Sequence, residues 1–168
     1  MIERLLTRLI QLVLLAAIQI FICNQIHLFG YATPLIYVAF LLYFPLDSSR
    51  SGILVWSFLM GLLMDIFNNT PGIAAASMTF AGLLQPGLLR LMFPKDTPEE
   101  IPPSYHVMGM GNHIKFATLL VLSYCIVFFG LESFSFYDAK ELFITMMSSM
   151  LLTLFVVLTT EMFRGRKA

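Results

Sequence analysis

One carboxylate stands out among the residues able to do chemistry. Asp65 sits in Gly61-Leu-Leu-Met-Asp-Ile-Phe-Asn-Asn-Thr-Pro-Gly72, at the end of a stretch that is otherwise almost wholly apolar. A charged side chain within a bilayer is costly, so such a residue is a functional hypothesis by default. A helix starting near Ser51 on the cytoplasmic side carries Asp65 about 21 Å along its axis, nearer the external interface than the midplane. Two roles fit that depth. The carboxylate reaches the external headgroups or caps the turn that follows, or it faces the bundle interior and pairs with a donor on another helix. Buried carboxylates persist only when paired or protonated. Arg90 and Lys115 lie toward the opposite face. The nearer donors are Asn68, Asn69, Thr70 and the backbone N–H groups opening the next helix, where the positive end of its dipole lies. No second acid or histidine sits at comparable depth, so a proton relay has little support.

Behind the turn comes a run of small residues: Gly72, Ala74, Ala75, Ala76, Ser77, Thr79, Ala81 and Gly82. The pairs Gly72/Ala76 and Ala75/Thr79 have the small-xxx-small spacing that lets membrane helices approach closely. They serve either packing within the bundle or contact with another membrane protein. Gln11, Gln19 and Gln85 are expected to make interhelical hydrogen bonds of about 0.6 kcal/mol each. His27, His106 and His113 fall on opposite sides of the membrane without ligand spacing, so no metal site is expected. Gly109-Met-Gly111 lacks the Lys-Ser/Thr of a phosphate loop. Cys23 and Cys125 lie in apolar runs and read as small buried hydrophobes, not as a disulfide or metal pair. No nucleophile arrangement is recognisable, no cofactor is implied, and nothing argues for an enzyme.

The elements that must position these residues follow from composition. The 168 residues are 58% hydrophobic and 12% charged, with 16 Phe, 11 Met and a mean hydropathy of +0.84. A soluble domain carries about 25% charged residues, so this chain belongs in a lipid bilayer. Its zero net charge and the lack of an aromatic-plus-basic stripe exclude a nucleic-acid surface. No small-residue cleavage site follows the first apolar run, which favours an uncleaved first helix over a signal peptide. About 20 apolar residues are needed per span, and runs of that kind occur at 9–26, 51–67, 72–93, 113–131 and 141–163. A sixth candidate, Pro34 to Leu46, reaches only about 20 Å and spans if it recruits its flanks, over 31–48.

Charge decides the count. Six spans with a cytoplasmic N-terminus place Arg4, Arg8, Arg50, Arg90, Lys95, Lys115, Arg164, Arg166 and Lys167 inside and only Lys140 outside. That is the distribution the positive-inside rule requires. The expected architecture is a single transmembrane domain over 1–168, an all-α six-helix bundle with both termini cytoplasmic. Its external connections are short, and its 94–112 loop is extended and solvated, because Pro94, Pro98, Pro102 and Pro103 forbid a continuous helix there. The two halves share no spacing of Gly or charge, so an inverted-repeat transporter is not supported.

A short basic N-terminus, six spans, small external loops and a Gly-x-x-x-Asp segment leading through Asn-Thr-Pro-Gly into a small-residue helix together resemble the rod-shape-determining MreD family, in its Bacteroidetes form. The resemblance covers nearly the full chain and is sharpest at Gly61, Asp65, Thr70, Pro71 and Gly72, followed by Ala74 to Ala76. The family often has Gly-Ser-Pro-Leu-Gly where this chain has Asn-Asn-Thr-Pro-Gly-Ile, so turn geometry does not carry over. The resemblance implies a non-enzymatic component of the cell-elongation (Rod) complex in the bacterial inner membrane, concerned with cell shape and lateral peptidoglycan synthesis. It implies MreC as partner, with MreB, RodA and its transpeptidase linked indirectly, and leaves homodimerisation open. It also implies the six-helix fold of the substrate-binding subunits of energy-coupling-factor transporters. The partner-binding or structural motif expected on these grounds is Gly61, Asp65, Asn69, Thr70, Pro71, Gly72 and Ala76. The competing reading is a vitamin-binding transporter subunit on the same fold. Short external loops and few convergent polar groups weigh against it.

Overall fold

Long apolar runs leave a chain in lipid few ways to satisfy its backbone N–H and C=O groups, and the helix is the simplest. The computed structural model describes residues 2–22, 34–93, 103, 105–132 and 139–165. Helix accounts for 87% of them, and no strand occurs among the described residues. The elements are α1 (Ile2–Phe21), a 3-10 turn (Ile36–Val38) running into α2 (Ala39–Leu42), α3 (Arg50–Asn68), α4 (Ile73–Met92), α5 (Tyr105–Met108), α6 (Met110–Glu132) and α7 (Ala139–Gly165).

Among the described residues, three stretches are long and apolar enough to cross a membrane: Arg50–Asn68, Met110–Glu132 and, within α7, Phe143–Thr160. Leu5–Phe21 of α1 is a shorter apolar run. The outward faces are apolar too, with Leu6, Val13, Phe58, Ile66, Leu83, Ile144 and Phe155 all exposed. So much large apolar surface is rare on a soluble monomer. The described residues are helical and carry the long apolar helices of a membrane protein.

The inward faces repeat at helical spacing. In α1 they are Leu12, Leu15, Ala16 and Gln19, and in α3 Ile53, Ser57, Met60, Gly61, Met64 and Asp65. α4 is the most central of the long helices, packing against both α3 and α6. Its buried residues are mostly small: Ala74, Ala75, Ser77, Ala81 and Gly82, with Met78 between them. α6, which packs against α4, buries Phe116, Leu120, Tyr124 and Phe128.

The expected spans at 51–67, 72–93, 113–131 and 141–163 coincide with α3, α4, α6 and α7 within a few residues, and the one at 9–26 overlaps α1. The expectation at 31–48 needs correction. Among residues 34–48 only Ile36–Leu42 is helical, and Pro45 to Ser48 turns, with the Ser48 N–H donating to Pro45 O at 3.1 Å. Proline at 34 and at 45 brackets the segment, leaving it about 12 Å of helix. This short element is the most enclosed among the described residues, and Tyr37, Val38, Phe40, Leu41 and Leu42 are wholly buried. The 94–112 loop also needs correction at its C-terminal end, where α5 and the start of α6 are helical. All four prolines lie at or before 103. The break between α5 and α6 comes instead from Gly109, at φ +79°. The connections at 24–33 and 133–138, and Cys23, lie outside the described residues.

Candidate functional site

Two polar arrangements interrupt the apolar interior. The first is the turn joining α3 to α4. Asn69 closes α3 in the left-handed conformation, φ 55°, and its N–H and that of Thr70 both donate to Asp65 O. Gly72 opens α4 at φ +81° without a side-chain cap of its own. Such angles suit Asn and Gly. The α4 N–H groups that Gly72 leaves uncapped are taken by Asp65. Its Oδ1 accepts from Ala74 N at 2.9 Å and from Thr70 Oγ1 at 2.7 Å, and its Oδ2 accepts from Ala75 N at 2.8 Å. A residue of one helix thus serves as N-cap of the next.

Tight approach of the two helices makes this reach short. A Cβ added at Gly61 would come within 2.5 Å of Ala75 Cα and 2.6 Å of Ala74 O, and one added at Gly82 would collide with Ser57 Oγ. The contacts Gly61 to Ala74/Ala75 and Ser57 to Gly82 run in opposite order along α3 and α4, so the pair is an antiparallel hairpin. Its hydroxyls bond within their own helices: Ser57 to Ile53 O at 2.5 Å, Ser77 to Ile73 O and Thr79 to Ala75 O at 2.7 Å. Packing, not hydrogen bonding, zips the shaft, and Asp65 fastens its end.

The expected site residues therefore divide. Gly61 and Asp65 are buried between α3 and α4, and Thr70 joins them through its hydroxyl. Asn69, Pro71, Gly72 and Ala76 are exposed around the turn. Of the small-residue pairs, Gly72/Ala76 faces outward and takes no part in the α3 contact, while Ala75 carries it. Among the donors expected for Asp65, Thr70 and the α4 backbone are used.

The second arrangement surrounds residues 34–44. Gln19 of α1 is fully buried; its Nε2 donates to Pro34 O and its Oε1 accepts from Ile36 N, both at 2.9 Å. Leu35 N donates to Thr153 Oγ1 of α7 at 2.9 Å, and that hydroxyl donates to Ser149 O at 2.6 Å. At the other end Arg8 Nη1 donates to Tyr43 O at 2.8 Å and to Gln11 Oε1 at 3.2 Å, with its guanidinium 4.3 Å from the centre of the Phe44 ring. Gln85 Nε2 of α4 donates to Phe44 O at 3.2 Å, while Gln85 Oε1 is buried without a hydrogen-bond partner. Between the ends, the Tyr37 and Tyr124 hydroxyls bond to each other, their rings edge to face at 5.6 Å.

Five backbone groups that helix geometry leaves open are thus met by side chains of α1, α4 and α7. Irregular backbone at membrane depth is tolerated only where protein buries it, and here protein does so on every side. Sequence reading expected Gln19 and Gln85 to bond between helices, and they do, but onto the 34–44 backbone. Arg8, Thr153, Tyr37 and Tyr124 were not anticipated. A glutamine in an apolar run was the available signal.

No protein family, curated protein or solved structure matches the chain.

Proposed function

We propose that this chain is a non-enzymatic, six-pass scaffold of the bacterial inner membrane, of the MreD type, that serves the cell-elongation complex by binding MreC. Through that partner it connects to MreB, RodA and its transpeptidase. The observation that carries the reading is how Asp65 is used. Both carboxylate oxygens accept donors from the α3–α4 turn, so the one acid buried in the hairpin fixes a shape instead of meeting a proton or ligand. The discontinuous 34–44 segment supports the same view. In transporters such breaks expose backbone groups to substrate, whereas here side chains of the chain itself take them.

The chain path supports counting residues 34–44 as a short pass in this reading. Arg8 meets Tyr43 and Gln19 meets Pro34, so residues 34–44 run back along α1 and cover about 16 Å of its length. Gln85, late in α4, meets Phe44 at the same end as Arg8, which supports a topology with Arg50 and Arg90 on the side of the N-terminal arginines. That is the cytoplasmic side by the positive-inside rule. The α3–α4 turn then faces outward, where the periplasmic part of a partner can reach it, and Asn69, Pro71, Gly72 and Ala76 form its accessible rim.

The test uses exposed positions, which leave the interior intact. Ala76→Trp and Pro71→Arg variants present at normal membrane levels are expected to lose co-purification with MreC and to fail to restore rod shape. Photo-crosslinkers at 69, 71 and 76 are expected to capture MreC in the parent chain. Retention of both partner and shape by both variants sinks the proposal, as does stabilisation of the purified chain by a vitamin.

A further inference from the structure

Residues 34–44 are held in a way unlike any other stretch among the described residues. The long helices satisfy their own backbones apart from the Ala74 and Ala75 N–H groups of α4, which Asp65 of α3 caps within the hairpin. The short segment satisfies its middle, with Val38 N donating to Leu35 O, Ala39 N to Ile36 O and Tyr43 N to Phe40 O, but not its ends. Pro34 O and Ile36 N depend on Gln19, Leu35 N on Thr153, Tyr43 O on Arg8 and Phe44 O on Gln85. Thr153 is 118 positions from Leu35, so the last helix of the chain completes the seat of the second. Meanwhile the hairpin contacts of Gly61 with Ala74 and Ala75, of Ser57 with Gly82, and of Asp65 with Ala74 and Ala75 involve no residue of the segment.

From this asymmetry we infer that 34–44 is a conditional membrane element. It takes its interior position only once α1, α4 and α7 are assembled, and it can leave that position while the α3–α4 hairpin stays packed. The physical cause is the cost of unpaired N–H and C=O groups away from water. With partners present the segment is enclosed, and without them its irregular ends draw it toward the aqueous boundary. The side chains of Gln19 and Thr153 are the latch at its N-terminal end.

The test reads water exposure of two buried positions in the full chain in isolated membranes. Cys23 and Cys125 are first replaced by Ala. Val38→Cys then reports on the segment and Met64→Cys on the hairpin, each with and without the pair Gln19→Leu and Thr153→Val. N-ethylmaleimide reacts with the thiolate, which forms where water reaches the sulfur. With the latch removed, labelling through Val38→Cys is expected to rise about tenfold, the factor that corresponds to about 1.4 kcal/mol, and labelling through Met64→Cys to stay at its parent level. Unchanged labelling at both positions overturns the inference, because the segment then holds without its latch. A rise at Met64→Cys overturns it as well, because the hairpin then depends on the segment.

Discussion

The Asp65 carboxylate leaves its own helix to bind the N–H of Ala75, 2.8 Å away in the first turn of the next. Ten residues separate the two in sequence, and they meet because Gly61, one turn before Asp65, lets α4 settle against the α3 backbone. Cap and close approach depend on each other. Without the approach the carboxylate does not reach, and without the cap two N–H groups of α4 are buried unpaired.

Asp65→Ala is accordingly expected to destabilise the protein by about 2–4 kcal/mol, the sum of a lost cap and stranded buried donors. Asp65→Asn should cost less, since its amide oxygen still accepts from α4 while its NH2 meets another donor. Thermal unfolding of the purified chain in detergent checks the order Asp65, Asn, Ala. A tie between Asn and the parent would deny the carboxylate its second acceptor role.

Two glycines give a paired test of helix contact. At Gly61 an added methyl meets backbone atoms of α4, which cannot move aside as a side chain can. Gly61→Ala is expected to cost about 1–3 kcal/mol, as overpacking of tight cores does. At Gly87 an added methyl meets nothing within 4 Å. Gly87→Ala should therefore stabilise by roughly 0.5–1 kcal/mol through the helix alone. Melting temperatures of the two variants should move in opposite directions.

The two buried glutamines should respond differently to loss of their amides. Gln19 holds one backbone donor and one backbone acceptor, so Gln19→Met strands both and is expected to cost about 2–4 kcal/mol. Gln85 makes one bond of 3.2 Å and keeps an unpartnered acceptor buried. Gln85→Met removes that orphan along with the bond and should cost no more than about 1 kcal/mol. Equal destabilisation, measured by denaturation in the same detergent, would refute the difference.

Much of the architecture was legible in the residue order. Runs of apolar residues near 20 long place α3, α4, α6 and α7 almost to the residue, because a helix in lipid must be both long and apolar. The isolation of Asp65 in such a run marked the α3–α4 turn, and the polar and backbone donors beside it gave its partners. Proline positions set where helix is impossible, though their force ends at Pro103, which is why the helix at 105–108 went unforeseen.

Length and hydropathy could not reveal the state of residues 34–44. A short apolar segment between prolines reads equally as a thin span, a re-entrant turn or a buried core piece. Here the choice rests on side chains far away in sequence, Gln19, Thr153, Arg8 and Gln85, converging on its backbone. The same holds for the small residues of α4. Their spacing is a local property that announces close approach, but which of them meet α3 is fixed by the angle at which the hairpin closes. That geometry turns Ala75 inward onto Gly61 and Ala76 outward. Composition and periodicity determine elements one at a time, whereas hydrogen bonds between distant segments exist only once the elements are packed.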